Sequence, residues 1–287
     1  MTDSIFDAYE ALIAYAQAGD PKGVALCIAK GADPQLGDSH ALFSAAENGD
    51  AECVRLLIPV SNPLAQKSRA LRAAAREGHS ECVKLLIPAS DPKSHKSEAL
   101  SLAANYGHAE CVELLIPVSD PKTANSCALR LAAGEGHAEC VRLLIPVSDP
   151  KEHDSQALGW AAEAGSADCV RLLIPVSNPK VSDSRALVWA AKLDHAECVD
   201  LLIPASDSLL DCPTAFYEAL SAGSAKTAAI MIAHEPALLD LIDLAQCLAK
   251  ASSNKHGDLA AWLLSIIEHL ALSLDSRACA PSTPPRL

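Results

Sequence analysis

Six cysteines stand 29 residues apart, at Cys53, Cys82, Cys111, Cys140, Cys169 and Cys198, and four histidines keep the same step at His79, His108, His137 and His195. Thiols and imidazoles are the side chains of metal ligation and nucleophilic catalysis, so their spacing decides what chemistry is open to the chain. Metal ligands converge on one ion at about 2.0–2.3 Å, whereas equivalent positions on neighbouring packed helices lie about 8–10 Å apart. That separation also exceeds the reach of a disulfide, about 7 Å between Cα atoms. A thiol nucleophile needs one converging constellation with a base and an orienting group. Cys82 follows His79 by three residues, but the pair simply recurs along the chain. Each of these cysteines sits in an apolar run, E-C-V-x-L-L-I or a close variant, that reads as core. They are expected to be small buried hydrophobes, and the histidines to hydrogen-bond the backbone of tight inter-helix loops. No catalytic residue, metal or cofactor is expected.

The elements that carry these residues belong to one repeated sentence, A-L-x-x-A-A-x-x-G-H-x-E-C-V-x-L-L-I-P-x-S-D-P-K, at a fixed 29-residue step. Self-similarity at a period of this size signals a solenoid. In the unit that begins at Ser126, this serine is a good N-cap, and Ala128, Leu129, Leu131, Ala132 and Ala133 give the apolar spacing of a short first helix ended by Gly136-His137. A second helix follows over 138–145, its apolar stripe wide enough to be buried between two neighbouring repeats, and Pro146 ends it. Ser148-Asp149-Pro150-Lys151 is turn chemistry leading to the next N-cap, Ser155. Helices this short are marginal alone, so stability must come from stacking.

Composition fits a thin stack better than a large core: aromatics make up 3% of 287 residues while half are apolar. The net charge of -13 argues against nucleic acid, whose binding rests on cationic neutralisation of phosphates, and against an anionic membrane surface. The opening MTDSIFDAYEALIAYAQAG lacks the basic start and apolar core of a secretory signal, and no stretch approaches the 18 uninterrupted apolar residues of a membrane span. A cytoplasmic protein with reduced cysteines is expected.

The segment G-H-A-E-C-V-R-L-L-I, preceded by A-L-x-x-A-A, resembles the helix pair of the ankyrin repeat. The resemblance implies an all-α helix-turn-helix solenoid. It covers 39–207 strongly and the N-terminus more weakly, through Ala11-Leu12 to Gly19-Asp20 and Gly31-Ala32-Asp33-Pro34. Two departures stand out: the period is four residues shorter than the family's usual 33, and the Thr-Pro-Leu-His motif is replaced by forms such as Cys127-Ala128-Leu129-Arg130. The family's β-hairpin finger is therefore expected to shrink to a tight loop. The organisation expected is an N-terminal capping repeat over 1–38, six 29-residue repeats over 39–207, degenerate repeats and a C-terminal cap over 208–270, and a disordered Pro-containing tail over 271–287.

Where the repeats disagree, the stack does not dictate the residue. Arg55, Lys84, Glu113, Arg142, Arg171 and Asp200 occupy a variable site on the second helix and are expected on its outer, solvent side. Lys93, Lys122, Lys151 and Lys180 follow the turn prolines; they can steer an acidic partner or bind phosphate groups along the loop edge, or form a solvated rim paired with Asp91, Asp120 and Asp149. The two positions before each Gly-His loop vary most, and the ankyrin resemblance puts them on a concave, partner-facing surface. Candidate partner-binding residues are accordingly Glu47, Asn48, Arg76, Glu77, Asn105, Tyr106, Glu135, Glu163 and Lys192. Trp160 and Trp189 share a first-helix position one repeat apart, where they either pack between repeats or anchor a partner.

The function expected is non-enzymatic recognition of an unidentified protein or peptide through that face and its loops, with no nucleic acid and no membrane. A self-associating scaffold is the alternative. An enzyme would need its site in the C-terminal region, where His234, His256, Asp240 and Cys247 form no motif.

Overall fold

The computed structural model describes residues 2–206 and 208–278. Among these the chain forms nineteen α-helices, three short 3-10 turns and no strand, as an all-α repeat solenoid requires. It divides into two compact units, Met1–Ser177 and Asn178–Leu287.

In the first unit, the pair Thr2–Ala18 and Pro21–Ala29 precedes five pairs of the 29-residue type. Their first helices are Leu36–Asn48, Ala65–Glu77, Ser94–Asn105, Thr123–Gly134 and Glu152–Glu163, and their second helices Ala51–Leu57, Ser80–Leu86, Ala109–Leu115, Ala138–Leu144 and Ala167–Leu173. Each first helix packs on the next first helix and each second on the next second, giving two rows. The same side chains fill the space between rows in every repeat: Ala128, Leu129, Ala132 and Ala133 from the first helix meet Cys140, Val141 and Leu144 from the second, all buried. Alanines let the helices approach closely, and each buried leucine contributes about 1.5–3 kcal/mol. The proline after each second helix ends it in a tight turn, as at Ile87–Ala89 and Ile116–Val118.

The connection back to the first row differs from the expected cap. Asp91, Asp120 and Asp149 each accept, through Oδ1, the backbone N–H of the lysine two residues on, at 3.1, 3.2 and 3.0 Å. Three residues then turn left-handed in each repeat, 66–68, 95–97, 124–126 and 153–155, with φ between 46° and 62°. Left-handed backbone costs an L-residue about 1–2 kcal/mol, so something must hold it. The last residue of each triplet is a buried serine, and its Oγ accepts the N–H of the turn leading to the next repeat: Asp91 to Ser68 at 2.8 Å, Asp120 to Ser97 at 2.9 Å and Asp149 to Ser126 at 3.0 Å. Ser126 thus does not cap its own helix, which has no side-chain cap bond; it fastens its repeat to the following turn. Ser155 shares the left-handed, buried setting.

A second fastening joins consecutive repeats at the loops. The ring Nε2 of His79, His108 and His137 donates to the carbonyl of Glu47, Arg76 and Asn105, at 3.0, 2.9 and 3.0 Å. The expected backbone bond exists, but it reaches back to the preceding repeat's first helix instead of staying in its own loop. The imidazole also lies on the preceding repeat's loop glycine: a Cβ on Gly49, Gly78 or Gly107 would sit 2.5 Å from its Nδ1. These glycines have φ near +80°, so conformation and contact both demand them.

The second unit holds the sixth 29-residue pair, Val181–Lys192 and Ala196–Leu202, then Ser208–Ala222, Ala225–His234, Leu238–Leu241, Leu244–Ser253 and Gly257–Ala278. Val181–Lys192 packs on Ser208–Ala222, whose Phe216 is fully buried. Here the fastening is rewritten: Asp194 stands at the glycine position with φ 61°, and Ser224 replaces the following histidine. Asp194 Oδ1 accepts hydrogen bonds from Ser224 Oγ and, at 2.6 Å, from Thr227 Oγ1. Of the stretch expected as a tail, 271–278 continue the last helix and contain neither glycine nor proline. Residues 279–287 lie outside the described residues.

Candidate binding surface

The residues that first suggested chemistry are used up by packing. Cys53, Cys82, Cys111, Cys140, Cys169 and Cys198 are at most 1% exposed. Burial pushes the Cys82, Cys111 and Cys140 thiols up to about 11, and burial together with the Asp50 carboxylate pushes Cys53 up to about 12. A thiol held protonated at neutral pH is a poor nucleophile and a poor metal ligand. Among the described residues no group of three His, Cys, Asp or Glu could hold a metal ion.

The second-helix row shows an exposed charged ridge, as expected. Arg55, Lys84, Arg142 and Arg171 each pair with the acid three residues earlier, Glu52, Glu81, Glu139 and Asp168. The third 29-residue pair differs, with Glu110 and Glu113 at those two places. The lysine rim is not built as expected. Asp91, Asp120 and Asp149 turn their carboxylates to the lysine backbone, which leaves the Lys93, Lys122 and Lys151 side chains exposed.

On the first-helix row, the candidates of the first unit lie along the C-terminal ends of successive helices. The first residue of each pair is half-buried at Glu47, Arg76 and Asn105, and the second is exposed at Asn48, Glu77, Tyr106 and Glu135. Arg76 donates to Glu47 of the preceding repeat at 2.8 Å and to Glu77 at 2.6 Å, while Asn48 Nδ2 donates to the Gln17 carbonyl at 3.1 Å. Tyr106 is 51% exposed, its ring nearly parallel to His108 at 6.5 Å. Glu163 is exposed at the end of the fifth of these helices. Lys192 belongs to the second unit, where its Nζ lies 5.6 Å from the Trp189 ring centre.

One and two turns earlier on the same helices stand residues that the sequence reading passed over. Arg69 lies over the Phe43 ring at 3.6 Å, and Arg72 pairs with Glu98 of the next repeat. Arg130 donates to Gln156 at 2.5 Å and to the Ala124 carbonyl at 3.1 Å. The signal was available, since these positions vary between repeats as much as the loop pairs do: Phe43, Arg72, Ser101, Arg130, Gly159. Trp160 is half-buried and packs across repeats, with Arg130 5.3 Å from its ring centre. No helix among the described residues is long and apolar enough to cross a membrane.

Compared with known families, the chain matches ankyrin repeats (three copies) over residues 12–97, 71–154, 100–184 and 129–208. No curated protein matches it.

Proposed function

Because this chain belongs to the ankyrin repeat family, whose members generally mediate protein–protein interaction, we propose that it recognises a protein or peptide through its first-helix row, without catalysis. The observation that carries this reading is the division of labour within each repeat. Core, serine and Gly-His positions hold nearly constant residues, while the exposed ends of the first helices change in size and charge from Glu77 to Tyr106 to Glu135. A lattice that fastens the first helices bearing Glu47, Arg76 and Asn105 at both ends presents their exposed side chains in a fixed geometry, so binding costs little ordering entropy. The buried thiols support the absence of nucleophilic chemistry.

Recovery of a partner from native lysate by the wild-type chain, followed by affinity measurements on folded variants, tests this. Tyr106→Ala combined with Glu77→Ala should weaken binding strongly and Arg142→Ala on the second-helix row should not. Equal affinity after loss of Glu77, Tyr106, Glu135 and Glu163 side chains, or a larger loss at Arg142, overturns the assignment.

A further inference from the structure

The first-helix row has one gap. The position occupied by Glu47, Arg76, Asn105 and Glu163 in other repeats of the first unit is Gly134 in the fourth 29-residue pair. Without a side chain there, an open notch of about 250 Å³ remains, lined by Leu131, Gly134, Glu135, Trp160, Glu163 and Ala164. The Trp160 ring borders the gap closely: a Cβ on Gly134 would lie 3.3 Å from its Cε3. Arg130 sits near the same ring, but its two terminal nitrogens are engaged by Gln156 and the Ala124 carbonyl. The Glu135 side chain is exposed at the rim and, among the described residues, its carboxylate has no hydrogen bond or ion pair.

We propose that this notch seats one cationic side chain, an arginine or a lysine, from a basic segment of the partner; the proposal rests on the first-helix row being the binding surface. The notch lies below the roughly 300–1,000 Å³ range of small-molecule sites, which suits a single side chain. An indole attracts a cation to its face, and a carboxylate at the rim gives that cation a charge-assisted hydrogen bond. A neutral apolar side chain would cover the Glu135 carboxylate without satisfying it, a desolvation cost with no return. The net charge of -13 draws a basic segment toward the surface.

The test is an NMR titration of the full chain with the peptide Gly-Ser-Arg-Ser-Gly and its citrulline counterpart, which keeps the shape and removes the charge. The readout is the Trp160 indole N–H, identified by its loss in Trp160→Phe. The arginine peptide should shift it saturably, Glu135→Gln should weaken binding about threefold to fivefold, and citrulline should leave it unmoved. Gly134→Asn, which installs the residue that the third 29-residue pair carries as Asn105, should fill the notch and abolish the shift with the helical spectrum unchanged. An equal response to citrulline, or wild-type binding by Gly134→Asn, overturns the proposal. So does a still resonance at about 10 mM peptide, where a millimolar site is filled. Shifts confined to the surroundings of Tyr106 would remove the notch and leave the first-helix reading standing, whereas shifts confined to the lysine turns or the second-helix row would remove both.

Discussion

Two stretches of the first-helix row carry variable residues in the same register and treat them differently. At the N-terminal end, Arg76 is shared between Glu47 and Glu77, Arg72 pairs with Glu98, and Arg69 covers Phe43. In the centre, Tyr106 stands half in solvent and the exposed Glu135 has no ion pair among the described residues. Variability marks the positions the stack leaves free, and the N-terminal end shows that such positions can satisfy one another across repeats. A partner at that end must exchange existing ion pairs for its own, whereas at the centre it meets an exposed ring and an unengaged carboxylate. The binding free energy is therefore expected from Tyr106 onward.

The largest effect comes from breaking the lattice both stretches stand on. Gly107→Ala forces a Cβ against the His137 ring at φ +77° and should cost about 3 kcal/mol in chemical denaturation. Combining it with His137→Ser should recover at least about 1 kcal/mol relative to additivity, because a Cβ on Gly136 would lie 3.3 Å from the Oγ of its neighbour Ser166, whereas one on Gly107 would lie 2.5 Å from the imidazole of His137. Strict additivity would show that the imidazole contact is not the cause. Next, Tyr106→Ala should lose about 2 kcal/mol of partner affinity on folded protein, while Arg76→Ala, whose ion pairs are 36–41% exposed, should change affinity by less than about 0.5 kcal/mol and stability by no more than about 1 kcal/mol. The reverse order, measured by calorimetry, would invert the comparison.

Beneath both stretches, Cys111→Ala should cost about 1 kcal/mol in stability and leave affinity alone. Burial pushes the Cys82, Cys111 and Cys140 thiols up to about 11 from an ordinary 9.0, so folding favours their protonated form. Their stabilising share is complete below pH 9 and is lost as pH rises from about 9 to 11. Fast labelling of native Cys82, Cys111 or Cys140 at pH 8 would contradict this. The smallest effect is expected from Arg142→Ala on the second-helix row, below about 0.5 kcal/mol in both stability and affinity.

Much of this was legible in the sequence. The 29-residue beat, the buried E-C-V-x-L-L-I helix, the turn proline and the exposed ridge at Arg142 follow from apolar spacing within one repeat. What was not legible depends on the repeat next door. Ser126 reads as an N-cap because a serine before an apolar stripe usually is one; its Oγ serves the turn at Asp149 instead, a fact fixed by left-handed backbone that no local pattern announces. The Arg76–Glu47 pair spans 29 residues and emerges only when two repeats are written one above the other. The same alignment places Gly134 among larger residues, but only the packing shows that Trp160 borders the space it leaves.

The glycine and histidine positions also set a grammar for the array. A repeat ending in glycine accepts either histidine or serine from its successor, as Gly107 beside His137 and Gly136 beside Ser166 show. Asp194 has spent that tolerance: its side chain fills the space an imidazole would take and bonds Ser224 and Thr227. A tandem duplication of residues 178–206 would set a copy of His195 against Asp194 and jam, while one of residues 91–119 would join Gly107 to a copy of His108 and fit. Repeats before that point can be gained in whole units, and the unit bearing Asp194 is a terminator that fixes where the uniform array stops.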